Sequence, residues 1–449
     1  MSGKAHLQSL LALINSAANE AILEYEKAGE DVPTIHSATL HPKDSANDSL
    51  VLKKAVRLLE GACQQLCASL APPQHTVINF AQSYDGACVR VAIRADITSI
   101  LANHPEGLHV RHLSSIVKID EGKLARILRL LATKGCYREV KTDVFANNRL
   151  SLKLDSSEDI AILTSMHTEV VSKGAAVLYE CLTDPTTAFS DDPAHAPVMY
   201  ALKDAGVSGT LFDLMQSDPQ TRERYHRAMI GLGSVMGSLS VLDHFPWGEF
   251  TSVCDLGSGI GAFSRPLAIK YPHLKITCHD IAEVLVQAHE VWDRDAPEAI
   301  ARHNIDLLPL DFLTESPVAG LDVYYLRNII HDWPDAEAVS ILRNVRRAMT
   351  PQSRVLIQDY VLKYTSGEEV IAQTLLDVHE APEPLLPNYG AGNMRMYESD
   401  ITMMLAHNAR ERTVDECVKL GEKAGLYLVK MWDLAESAVL EFRLAPASV

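Results

Sequence analysis

No run of about 18 apolar residues, the length a helix needs to cross a bilayer, occurs in the 449-residue chain. No apolar signal segment is legible at the N terminus either. Together these absences make an intracellular, cytoplasmic protein with no membrane partner the expectation. Positive charge is in short supply: 41 Lys and Arg stand against 58 Asp and Glu, a net charge of −17. Phosphate backbones are bound by basic surfaces, so this balance argues against a nucleic-acid partner. The eight cysteines, at positions 63, 67, 88, 136, 181, 254, 278 and 417, form no C-x-x-C pair and no metal-like cluster with histidine. No metal site is expected, and the thiols read as reduced and mostly buried.

What is present is a chain long enough for two or three domains with a large core. Its centre of organisation is Val253–Ser264, V-C-D-L-G-S-G-I-G-A-F-S. A short apolar strand runs into glycines at 257, 259 and 261, and a helical pattern follows. Glycines at such a turn let the backbone bend sharply and approach a ligand closely. Asp280 closes the next apolar run and is placed to accept hydrogen bonds from ribose hydroxyls. The spacing G-x-G-x-G after Asp255 is tighter than the dinucleotide fingerprint. It suits a cofactor without a pyrophosphate, such as S-adenosylmethionine.

The flanking regions read in order. Residues 1–74 form a helical extension, with a polar, mobile-looking connection over Gly29–Ser49. Residues 75–185 contain three helical patterns, Val89–Leu101, Val110–Ile116 and Asp120–Thr133, then two strand-like pieces, Cys136–Glu139 and Val144–Asn147. This is a winged-helix pattern, and its third helix carries Lys123, Arg126 and Arg129. The acidic chain favours a structural or dimerising role over DNA binding. Further helices are expected at Ile160–Leu182 and Tyr225–Leu242, the latter with Met229, Leu232, Val235 and Met236 along one face. Thioethers there could adapt to a flat aromatic substrate or simply fill a core.

The catalytic domain is expected over residues 186–449. From residue 251 strands alternate with helices: Val253–Leu256, Ile276–Cys278, Ile305–Leu310, Leu321–Leu326 and Arg354–Asp359. That pattern is a doubly wound α/β parallel sheet. Leu426–Trp432 and Val439–Leu444, joined by a short polar turn, should finish it as an antiparallel hairpin. Ligands bind beyond the carboxyl ends of such strands. Gly257, Asp280, Asp311, Phe312, Arg327, His331 and Asp359 all fall there. An imidazole at that position can take a proton from a phenol or alcohol near neutral pH. It needs an orienting carboxylate, for which Asp359 and Glu411 are the candidates.

The segments D-L-G-S-G-I-G, H-D-W-P-D, I-Q-D-Y-V-L and M-L-A-H-N-A-R-E-R-T together resemble the plant caffeic-acid-type O-methyltransferases, and more closely their fungal relatives of aromatic polyketide pathways. The resemblance covers roughly residues 75–445. It implies a Rossmann-like class I methyltransferase sheet preceded by a mainly helical winged-helix dimerisation domain. It also implies a homodimer, a phenolic substrate and S-adenosylmethionine as methyl donor. By the same resemblance His331 is the base, flanked by Asp359 and Glu411. Gly257 would contact the methionine part, Asp280 the ribose, Asp311 and Phe312 the adenine region, and Arg327 would lie near the cofactor. Asp359 is one methylene shorter than the glutamate of plant members, the loop before Glu411 is shorter, and residues 1–70 and the insertion around 378–393 depart from the plant pattern. Two other classes compete: a lyase or pericyclase that uses the bound cofactor only for its charge, and a DNA-binding regulator with a vestigial cofactor site.

Overall fold

The structure, a computed structural model, describes residues 2–44, 49–215, 217–302, 304–366 and 381–445. The chain forms two compact units. One is Met1–Ala176 with Met215–Val235; the other is Val177–Leu214 with Met236–Val449. The chain therefore passes between units three times, and the helix Pro219–Val235 belongs with the N-terminal unit.

In the first unit, the helices Gly3–Glu26 and Leu50–Leu70 pack on each other. Ser2 and Ser49 cap their N termini, each accepting a backbone N–H of the first turn. The connection between them is not loose where it is described. Ile35 O accepts from Asn148 Nδ2 at 2.9 Å, Ser37 O accepts from the Arg149 N–H at 2.7 Å, and Asp44 pairs with Arg149. Those anchors lie more than a hundred residues away in sequence, so no local pattern could reveal them. Residues 45–48 of that connection lie outside the described residues.

The winged-helix pattern is present with a correction. Helices Asp85–Arg94, Ile97–Ala102, Val110–Val117 and Glu121–Thr133 are followed by a hairpin. The strands are β1 (Leu108–His109), β2 (Arg138–Lys141) and β3 (Val144–Ala146), in the order β1-β3-β2. The single helix expected over Val89–Leu101 is broken at Asp96, whose φ is 52°. Its carboxylate accepts from Ser99 Oγ at 2.7 Å and Ser156 Oγ at 3.1 Å, which holds the left-handed turn. The helix Glu121–Thr133 does carry basic residues, but Arg129 is bound by Glu139 and Asp143 of the hairpin. The pattern expected over Tyr225–Leu242 also divides. Its helix ends at Val235, and Gly237, with φ 58°, turns the chain into short helical pieces.

The second unit is built on seven strands. These are β4 (Ser252–Leu256), β5 (Lys275–Asp280), β6 (Ile305–Pro309), β7 (Val323–Arg327), β8 (Arg354–Asp359), β11 (Leu426–Asp433) and β12 (Ala438–Leu444). Two further strands, β9 (Val361–Leu362) and β10 (Arg412–Thr413), pair parallel beside it. The sheet order is β11-β12-β8-β7-β4-β5-β6. β12 runs antiparallel to both of its neighbours, β11 and β8, so the expected terminal hairpin is there.

Central strands are apolar on both faces because helices cover both. Cys254, Leu256, Tyr324, Leu326, Val355 and Ile357 pack on helices Asp335–Ala348 and Val414–Ala424. The alternate residues Val253, Val323, Tyr325 and Leu356 pack against Leu267, Leu285 and Trp292 on the other side. The chain runs outward from β4 through β5 to β6, then returns to β7 on the opposite side of β4. That reversal opens a crevice at the carboxyl ends of β4 and β7.

Candidate active site

Gly257 leaves β4 with φ 68°, and a Cβ there would lie 2.2 Å from Ile329 Cδ1. Only glycine fits both the torsion and the space. The N–H groups of Gly257 and Ser258 donate to His279 O at 2.8 and 3.0 Å. The Gly259 N–H donates to Asp280 Oδ2 at 2.8 Å, and Asp280 Oδ1 accepts the Ile281 N–H at 2.8 Å. The turn is thus tied to the end of β5. Burial pushes the Asp280 carboxyl above its usual range. A carboxylate has about four lone-pair directions, so two remain for a ligand's hydroxyls.

Asp255 lies at the other end of the motif, buried in β4 and accepting from Ser264 Oγ. Burial raises its carboxyl to about 6, against the Ser264 hydrogen bond and the charge of Arg327. Arg327 ends β7 half-buried, and its side chain makes no hydrogen bond or ion pair among the described residues. Phe312 Cε1 reaches within 3.7 Å of the position a Gly257 Cβ would take, and its ring meets Trp333 edge-on at 6.0 Å. Asp311 is different. It is exposed and its oxygens cap its own turn, on Leu313 N at 3.0 Å and Thr314 Oγ1 at 2.9 Å.

His331 sits in a 3-10 turn, Ile330–Asp332, just past β7. Pro334 forces Trp333 into extended backbone, with φ −120° and ψ 139°, so the turn cannot run on into the helix that starts at Asp335. The imidazole is 3% exposed. Its Nδ1 lies 2.8 Å from Glu411 Oε1 and its Nε2 3.5 Å from Asp332 Oδ1. Glu411 is buried as well, and its Oε1 also accepts from Ser399 Oγ at 2.8 Å. The Glu411 N–H donates to Asp400 Oδ1 at 3.0 Å, which fixes the backbone behind the carboxylate.

Burial disfavours a charged His331, but the negative charges of Glu411, Asp332 and Asp359 outweigh it and hold the imidazole well above 6.5. Burial likewise raises Asp332 to about 7 and Asp359 to about 6, with the His331 charge opposing both. The two orienting candidates part company here. Glu411 bonds the ring. Asp359 Oδ1 instead accepts the Asn328 N–H at 3.0 Å, where Asn328 takes a φ of 54°. Asp359 acts on the imidazole through charge alone. Sequence reasoning did not single out Asp332, Ser399 or Asp400. Asp332 could have been found, since it is the histidine's own neighbour in the motif. Nothing in M-R-M-Y-E-S-D marks Ser399 or Asp400 as partners of residue 411.

A glycine-cradled turn at a sheet's switch point, with a paired imidazole one strand away, is the arrangement to compare with known proteins. An O-methyltransferase domain matches residues 179–427.

The chain belongs to the O-methyltransferase family.

The 3-O-methyltransferase 2 of Phanerochaete chrysosporium is 37% identical over 444 residues, spanning 98% of this chain and 97% of that one. Among solved structures, OxaC has a TM-score of 0.70 at 20% identity, covering 99% of this chain and 100% of its own. LepI in complex with S-adenosylmethionine has a TM-score of 0.67 at 20% identity, covering 88% and 95%. The protein is therefore an S-adenosylmethionine-dependent O-methyltransferase of small molecules, with an α/β Rossmann-like sheet and a helical N-terminal region. No helix among the described residues is long and apolar enough to cross a membrane.

The crevice fits that cofactor. A Cβ on Gly259 would meet nothing within 4 Å, so the turn is open there. Among the described residues, Ser258 Oγ and Asn328 Oδ1 are buried without a hydrogen-bond partner. Asp280 keeps acceptor capacity for a ligand's hydroxyls.

Proposed function

We propose that the enzyme methylates a phenolic hydroxyl of a small aromatic compound, with His331 as general base. The observation that carries this reading is the buried His331–Glu411 pair, 2.8 Å between Nδ1 and Oε1. Toward an ionised carboxylate, Nδ1 must donate, so the neutral ring leaves the Nε2 lone pair free to take a proton. S-adenosylmethionine supplies an electrophilic methyl on a sulfonium. His331 Nε2 would take the phenol proton as the phenol oxygen attacks the methyl that the cofactor would supply, its sulfur keeping the carbon–sulfur electrons. Glu411 stabilises the imidazolium that results, and the proton then passes to solvent. Gly257 and Asp280 hold the cofactor on this reading, with Phe312 and Arg327 beside it and Asp311 the least engaged of the set.

Incubation with methyl-labelled S-adenosylmethionine and a panel of flavonoid, anthraquinone and benzoic phenols tests it. Labelled methyl ether with an equal amount of S-adenosylhomocysteine is the expected result. Product formed with the cofactor unconsumed would replace this reading by the lyase or pericyclase alternative. A homodimer belongs to the same proposal, on the resemblance of the N-terminal region. Sedimentation of the full chain as a monomer at micromolar concentration would remove that part alone.

A further inference from the structure

Glu411 is followed by Arg412, which is 3% exposed. Arg412 Nη1 donates to Ile330 O at 2.7 Å, and Nη2 donates to Trp333 O at 2.7 Å. These two carbonyls bracket His331 and Asp332 in the chain. The same guanidinium donates to Asp335 Oδ1 from Nη2 at 3.0 Å and from Nε at 3.2 Å. Asp335 opens the helix that follows the turn. One planar fork thus grips the 3-10 turn on both sides of the imidazole and the helix beyond it. Its own backbone is fixed too, since Arg412 pairs with Val361 in the β9–β10 ladder, just past Asp359. Thr413, next along, caps the helix Val414–Ala424 with a reciprocal bond to Glu416. Three successive residues therefore lock the ring, the turn and the next helix.

We propose that Arg412 is a positioning residue for methyl transfer, holding the backbone of the His331 turn so that Nε2 faces the acceptor while Nδ1 meets Glu411. This rests on the reading of His331 as the base. The geometry requires arginine: a guanidinium presents five donors in a rigid plane, whereas a lysine's donors radiate from one point and cannot span two carbonyls and a carboxylate.

The test compares wild type, Arg412→Lys, His331→Ala and the double variant, using the panel phenol that wild type methylates fastest. Calorimetry with S-adenosylhomocysteine and a thermal melt accompany the rates. Arg412→Lys should bind S-adenosylhomocysteine within about 2-fold of wild type. Its kcat should fall roughly 100-fold, the cost of a misaligned reacting group. Added to His331→Ala, it should lower the residual rate no further. Near-normal kcat in folded Arg412→Lys overturns the proposal, and so does an equal loss in the presence and absence of His331. If Arg412→Lys does not fold, Asp335→Asn takes its place, with a loss of about 10-fold expected for the weaker change and the same non-additivity with His331→Ala. A near-normal kcat in His331→Ala alone is a separate result: it removes the base reading on which the proposal stands.

Discussion

His331 Nδ1 and Glu411 Oε1 meet at 2.8 Å across 80 residues of chain, inside a part of the protein closed to solvent. Two groups so far apart in sequence and so close in space are held by two different connections of one sheet. The histidine comes from the turn after β7, and the glutamate comes from the residue that enters β10. Replacing His331 by Ala removes the proposed proton acceptor and leaves the glycine turn and Asp280 untouched. A loss of about 100- to 10,000-fold in kcat is expected, with cofactor affinity unchanged. Single-turnover rates and calorimetry check both halves. A variant with normal kcat would mean that the proton leaves by another route.

The same pair sets the pH dependence. On the proposed mechanism catalysis needs the imidazole neutral, and the three neighbouring carboxyl groups hold its pKa well above 6.5. The rate should therefore rise with pH and reach its plateau only above that value. Glu411→Gln keeps an acceptor oxygen for Nδ1 but removes the negative charge. Its acidic limb should move to lower pH, because an imidazolium loses support when a carboxylate beside it is neutralised. Profiles of kcat/KM for the two proteins decide the point. A limb that does not move, or moves upward, would assign the titration to a group other than His331.

Asp359 should behave unlike Glu411. Its Oδ1 accepts the Asn328 N–H and does not touch the ring. In Asp359→Asn the amide oxygen can accept the same N–H, so the turn after β7 is kept and only the charge is lost. A fall in kcat of less than about 10-fold is expected, against a larger one for Asp359→Ala, which leaves the buried N–H without its partner. Equal losses in the two variants would show that charge, and not support of the Asn328 backbone, is what Asp359 provides.

The legibility of these residues in the sequence follows from how local their causes are. The glycine turn, the two-face strands and the terminal hairpin each depend on residues within a few positions of one another, so spacing and alternation expose them. His331 was legible because a strand end and a following proline place it. That Glu411 and not Asp359 bonds the ring was not legible. Both carboxylates reach the site from other strands, Asp359 from the end of β8 and Glu411 from the residue before β10, and the difference is one of direction there. The anchoring of residues 35–44 by Asn148 and Arg149 was hidden for the same reason, and so in part was the break at Asp96, one of whose two partners, Ser156, is distant in sequence.

The cofactor turn offers a graded test. An alanine at Gly259 meets no neighbour and carries only the strain of a φ of 55°. That strain is roughly 1–2 kcal/mol for a residue with a Cβ. An alanine at Gly257 carries similar strain and also strikes Ile329 Cδ1, which stands 2.2 Å from its Cβ position. Affinity for S-adenosylhomocysteine should fall in both, and further in Gly257→Ala. Calorimetry measures the order. Equal affinities in the two variants would mean that the Ile329 contact is relieved freely and that Gly257 is needed only for its torsion.

His407 links the site region to acid stability. Its ring stacks on Phe212 at 4.5 Å, and its Nδ1 is buried without a hydrogen-bond partner among the described residues. Burial, helped by the charge on His331, lowers its pKa to about 3. The unfolded chain binds a proton at this residue near pH 6.5 and the folded one does not. Its contribution to stability is therefore complete above 6.5 and is lost as pH falls from there toward 3. His407→Phe preserves the stack and removes the titration. Between pH 6.5 and 5 the wild type should lose about 1.6 kcal/mol more stability than the variant, as linkage gives for one group that titrates near 6.5 unfolded and about 3 folded. Denaturant unfolding at the two pH values measures this. Equal losses in the two proteins would show that His407 gains a proton inside the fold, with its ring partly opened to water, and is not held neutral there.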